Sequence, residues 1–223
     1  MAPSCCCGDG CDAMFGEKGA RRALRRYLQK GLGAEAATLA EWAAAGGLAG
    51  AAVLEVGGGI GQIQAELVRR GAERGTLVEV VEAYEAPARE LAVATGVADR
   101  TSFVLADLSA APDAVEAADV VVLRRVVCCS PRGVELLGAA AALTRRVLLA
   151  SYPRPRPWVR AVVAVQNAWF ALRRWDFRVY VHDPAALEAA AAAQGLRRTR
   201  LRRGVVWESV AFAPGAAAGV PDP

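Results

Sequence analysis

The chain has a single histidine, and several patterns are missing altogether. No segment strings together ~18 apolar residues, so neither a transmembrane helix nor stable membrane insertion is expected. The opening residues, MAPSCCCGDGC, lack a basic start and a long apolar run, so no signal peptide is expected and the protein reads as cytoplasmic. No C-x-x-C pair exists. Cys5, Cys6, Cys7 and Cys11 are too crowded to converge on one tetrahedral ion, so no metal is expected and residues 1–14 read as a flexible Cys-rich tail. Neither sign of charge dominates: 27 Lys and Arg face 23 Asp and Glu, and a net +4 gives no reason by itself to expect a nucleic-acid partner. The densest basic run, RRTRLRR from Arg197 to Arg203, reads as a solvated helix-to-strand connection. No internal repeat is evident.

What is present is an alternating pattern. With 223 residues, 54% hydrophobic and 22% charged, the chain is long enough for one domain with a sizeable core. Helical spacing marks Glu17 to Lys30 and Glu35 to Ala45. Apolar strands then alternate with helices: Ala51 to Val56, helix Gln62 to Arg70, strand Thr76 to Val81, helix Ala83 to Ala94, strands Thr101 to Leu105 and Asp119 to Leu123, helix Val134 to Leu143, strand Arg146 to Ser151. Strands that are apolar throughout and alternate with helices imply an α/β fold, a doubly wound and mostly parallel sheet with helices on both faces. The last third differs. SYPRPRPW is a Pro-rich break, Val159 to Arg174 a long apolar helix interrupted by Gln166 and Asn167, and Asp183-Pro184 the start of another helix that ends at Gly195. Leu196 to Leu201 and Val205 to Phe212 read as a closing antiparallel hairpin with Gly204 near its turn. Residues 15–50 thus read as N-terminal helices, 51–213 as the main domain and 214–223 as a loose tail.

VLEVGGGIGQI, from Val53 to Ile63, carries the chemistry. An acidic residue at a strand end is followed by Gly57, Gly58, Gly59 and Gly61, at the edge of the sheet where such folds bind ligands. Bare backbone beside a helix start lets a ligand approach closely and offers it free N–H groups. A nucleoside triphosphate is excluded because no Lys-Ser or Lys-Thr follows, and a dinucleotide fits poorly because Gln62 stands where G-x-G-x-x-G needs its third glycine.

The stretch resembles the first motif of class I S-adenosylmethionine-dependent methyltransferases, [E/D]-x-G-x-G-x-G, matched by Glu55, Gly57, Gly59 and Gly61. The resemblance implies a Rossmann-like methyltransferase sheet and S-adenosyl-L-methionine as cofactor, its ammonium attracted by Glu55 and its carboxylate held by the glycine backbone and helix start. It also implies Glu79 as the acid that accepts from the ribose hydroxyls, with Glu82 as a rival, and Asp107 in VLADL as the acid facing the adenine amino group. The segments VVLRRVVCCSP, SYPR and YVHDP resemble the magnesium-protoporphyrin O-methyltransferase group, with 154–182 as an insertion at the acceptor site. The chain departs from that group at Cys129, Ser130 and Pro131, where those enzymes carry a histidine, and at Arg124, which replaces an acid.

His182 and Cys129 are the candidates for chemistry: histidine is the commonest general base, and a thiol close to Arg124 and Arg125 is a candidate for a lowered pKa. The bland alternatives are a His182 that hydrogen-bonds backbone at a helix start and cysteines that serve as small apolar wall residues. The combined reading is a methyltransferase acting on a small, partly apolar acceptor. A cofactor-binding regulatory or scaffolding protein and an NAD(P)-dependent oxidoreductase are the alternatives. The sequence leaves the oligomeric state open.

Overall fold

Val, Leu and Ala dominate the segments that pair into the sheet, and side chains alternating along each strand feed two separate apolar layers. The computed structural model describes residues 15–215; the Cys-rich tail expected over 1–14, and all of the expected C-terminal tail but its first two residues, lie outside the described residues. Helices α1 (Glu17–Lys30) and α2 (Ala34–Ala44) come first. Strand β1 (Ala52–Val56), buried along its length, leads into α3 (Gln62–Arg69). There follow β2 (Arg74–Glu79), α4 (Glu85–Ala94), β3 (Thr101–Leu105), β4 (Ala118–Arg124), α5 (Gly133–Ala142) and β5 (Thr144–Pro153). The chain closes with α6 (Pro157–Leu172), α7 (Pro184–Ala192), β6 (Leu196–Arg203) and β7 (Trp207–Pro214).

The seven strands stand in the order β3-β2-β1-β4-β5-β7-β6. Strands β1 to β5 are parallel, and β7 runs antiparallel to both β5 and β6. Val53, Val120, Val122 and Leu149 point to one face, where Leu24 and Tyr27 of α1, Leu39 of α2, Ile63 and Leu67 of α3 and Leu91 of α4 cover them. Leu54, Val121, Leu123 and Leu148 point to the other, under Leu136 and Leu137 of α5 and Leu187 and Ala191 of α7. Each side chain of this size buried from water stabilises the fold by roughly 1.5–3 kcal/mol. The N-terminal helices therefore share a core with the sheet.

Several boundaries differ from the sequence reading by a few residues, and three differences have a clear physical reason. β2 ends at Glu79 rather than Val81, because Val81 is apolar for another reason: it packs with Phe170 and Phe177 in a third cluster. α6 starts earlier, with Pro157 in its first turn, where a missing N–H costs nothing. The basic run from Arg197 is not a connection. It forms most of β6, the outer strand of the sheet, and its exposed arginines discourage pairing with another chain at that edge. The strand order reverses between β1 and β4, which opens a crevice beyond their carboxyl ends.

Candidate functional site

A cavity of ≈ 290 Å³ occupies that crevice. Its floor is the loop after β1. Gly57, Gly59 and Gly61 all have left-handed backbone, with φ of +60°, +66° and +70°. At Gly57 the need is absolute, because a Cβ would lie 2.2 Å from Val126 Cγ2. Gly58, which the motif passes over, has no left-handed backbone but is also crowded: a Cβ there would lie 2.5 Å from the carboxyl carbon of Glu55. Glu55 is 1% exposed and lies under the loop. Its Oε2 accepts from the Ile63 and Gln64 amides at 3.1 and 2.7 Å, so it caps the start of α3 from a distance. The amides expected to hold an anionic ligand group are thus already partly taken by the protein's own carboxylate. Burial pushes the Glu55 carboxyl up to about 7, against the pull of those two amides and of Arg124.

Glu79, at the carboxyl end of β2, is also buried. Its Oε1 accepts from the Gly59 amide at 2.7 Å and its Oε2 from the Val80 amide at 3.0 Å, which ties the second strand to the loop of the first. Burial raises its carboxyl above the usual range although these amides oppose the shift. Glu82 is exposed and does not line the cavity. Asp107, just past β3, lines the cavity and accepts from both the amide and the hydroxyl of Ser109 through Oδ1. Gly61 lies outside the lining and starts α3.

The end of β4 supplies the cationic side. Arg124 lines the cavity, and its buried Nε has no hydrogen-bond partner in the protein. Arg125 has φ +58°, unusual for a residue with a side chain and worth roughly 1 kcal/mol of strain. It is held there on three sides. Its amide donates to Ser151, its Nε donates to Glu35 Oε2 at 2.7 Å, and its guanidinium lies 4.4 Å over the Trp207 ring.

The two candidates for chemistry part company. Cys129 lines the cavity; its thiol is pushed well above the usual range by its hydrogen bond with Cys128, by burial and by nearby Glu79, so it is a thiol rather than a thiolate. His182 does not line the cavity. Its Nε2 sits 3.1 Å from the Val127 carbonyl and 2.9 Å from that of Ser130, and two acceptors require that this nitrogen carry the proton. The ring rests against Gly133, where a Cβ would lie 2.4 Å from Nε2. His182 therefore ties the segment before α7 to the turn that carries Cys129.

Phe15, Tyr84, Arg124, Arg125 and Gly58 also line the cavity, and the sequence reading did not select them as site residues. Arg124 was accessible to it, since it ends a central strand at the edge where ligands bind. Phe15 precedes the first helix and reaches the site only through tertiary packing, in an edge-on contact with Phe177 at 5.2 Å.

No protein-family model matches the chain, and no curated protein matches it. Solved structures do. Magnesium protoporphyrin IX methyltransferase from Synechocystis PCC 6803, with bound SAH, aligns with a TM-score of 0.70 and 18% identity over 91% of this chain and 97% of that one. An O-methyltransferase family protein from Burkholderia thailandensis gives 0.68 and 18% over 92% of this chain and 63% of that one. The [4+2]-cyclase SpnF gives 0.62 and 13% over 82% and 81%. The fold is that of the class I S-adenosylmethionine-dependent methyltransferases. At these identities the likeness carries the fold alone, and a cyclase among the similar structures shows that one fold can serve different reactions.

Proposed function

We propose that the protein binds S-adenosyl-L-methionine and transfers its methyl group to a small, partly apolar acceptor. The observation that carries this reading is the convergence of Glu55, Gly57, Gly59, Glu79 and Asp107 on one cavity. Three carboxyl groups there suit a ligand with a cationic sulfonium and ammonium, and oppose the pyrophosphate of a dinucleotide. In this reading Glu79 accepts from the ribose hydroxyls, Asp107 from the adenine amino group, and Glu55 holds the loop in shape and, once ionised above about 7, adds to the field that attracts the ammonium. Arg124, with its unpartnered Nε, is the group for a carboxylate of cofactor or acceptor.

When bound, the cofactor supplies a methyl group already activated on sulfur. The protein's task is to line up the acceptor and keep water out. Cys129 is held as a thiol, and burial, Glu79 and Cys129 push the Tyr84 phenol up to about 12. Both therefore keep their protons near neutrality. That favours an acceptor whose nucleophilic atom needs little help in losing a proton.

S-adenosylmethionine or its demethylated product is expected to raise the melting temperature, and NADH to leave it unchanged. The reverse pattern in a thermal-shift assay would sink the proposal. Cell extract supplied with methyl-labelled cofactor then identifies the acceptor by mass spectrometry. For His182 we propose a positioning role. His182→Ala is expected to lower stability by about 1–2 kcal/mol and leave the pH profile of turnover unchanged, and a lost inflection near neutrality would reassign it as a base.

A further inference from the structure

Helix α6 carries an apolar stripe that nothing in the described protein covers. Trp158, Val162, Val165, Trp169 and Leu172 follow one another at alternating steps of four and three, which places them on one face. They are 42, 57, 72, 51 and 76% exposed. Only Val159 and Phe170 of this 16-residue helix are buried. Asn167, expected to interrupt the apolar face, points the other way: its amide bonds to the backbone of Val179 at 2.8 and 2.9 Å.

The charge around the stripe is one-sided. Residues 154–182 contain six arginines and a single acid, Asp176. Arg156, Arg160, Arg173 and Arg174 are exposed, and none forms an ion pair among the described residues. Arg173 lies 5.0 Å over the Trp169 ring, so that pair presents an amphipathic surface. A second copy of the helix is a poor partner, since apposed stripes would bring arginines together with almost no acid to neutralise them.

We propose that α6 lies in the plane of an anionic lipid surface, with the stripe at the boundary of headgroups and acyl chains and the arginines against lipid phosphates. The helix is too short to cross a bilayer. Its inner residue Phe170 joins Val81 and Phe177 in a cluster against which Phe15, Tyr84 and Cys129 of the cavity wall pack, so the docking helix and the cavity share one apolar contact. The proposal does not rest on methyl transfer, because vesicle binding is measured without cofactor.

The test is co-sedimentation of the full chain with phosphatidylcholine vesicles, with and without phosphatidylglycerol. Binding is expected only with the anionic lipid, and about 0.5 M salt is expected to release a large part of the protein. V165E/L172E is expected to weaken binding at least roughly tenfold with the melting temperature unchanged, as both side chains face solvent. R160Q/R173Q, which keeps the stripe, is expected to weaken it less. Equal sedimentation with both vesicle types, or unaltered binding of V165E/L172E, would overturn the proposal. So would a concentration-dependent dimer in analytical ultracentrifugation that V165E/L172E disperses, which would give the face to a second copy.

Discussion

The loop after β1 and helix α6 are both poor in charge, yet their surroundings differ. At Gly57 and Gly58 the space that a Cβ would need is taken by Val126 and by the Glu55 side chain. Along α6, side chains as large as tryptophan and leucine stand in solvent. The difference is whether neighbouring elements converge on the segment, and convergence is what makes the loop a candidate site and α6 a candidate surface.

The contrast breaks most visibly at Gly57. Gly57→Val places a branched side chain into Val126 on a left-handed backbone, and is expected to cost roughly 3 kcal/mol or more of stability and to abolish binding of S-adenosylmethionine. Urea denaturation and calorimetry check both, and a variant that binds normally would show that the loop has room.

The next largest effect is expected at Glu55. Its carboxyl titrates near 7 in the folded protein and near 4.5 when exposed, so between these values the native state holds a proton that the unfolded chain has released. The contribution to stability is complete below the unfolded pKa and is lost as pH rises through about 7, by roughly 3 kcal/mol in all. Glu55→Gln keeps an acceptor for the Ile63 and Gln64 amides and removes the titration. Its stability curve is expected to be flatter than the wild-type curve from pH 5 to 8; parallel curves would mean that Glu55 stays ionised. At the small end, Leu172→Gln is expected to change stability by no more than about 0.5 kcal/mol, because that side chain is 76% exposed. A larger loss in chemical denaturation would mean that α6 is packed after all.

The order and type of the elements were legible because strand and helix periods differ and the caps fall at Asp183, Pro184 and Gly195. The glycine loop was legible from spacing alone. Gly58 was not, since its constraint comes from Glu55, which folds back under the loop. Glu55 itself was found for its charge, but its hold on the start of α3 required the turn of the chain between them. Val81 misled the end of β2 because an apolar residue reads the same in a strand and in an aromatic cluster. The face of α6 was ambiguous for a similar reason: apolar residues surround much of the helix, and the burial of Val159 and Phe170 together with the paired bonds between Asn167 and Val179 shows which side turns inward.

The placement of β7 between β5 and β6 bears on how the chain is made. Strands β1 to β5 can pair in the order of synthesis, each beside a strand already present or soon to follow. The outer edge of β5 then stays open, its residues Leu148–Pro153 waiting for Trp207–Phe212 while α6 and α7 are still being added. That edge is apolar and, for this interval, has unpaired amides and carbonyls. A chain interrupted before Trp207 would keep them exposed and would pair them with whatever strand came by. The hairpin that closes the sheet is thus also the point at which the nascent protein stops being sticky.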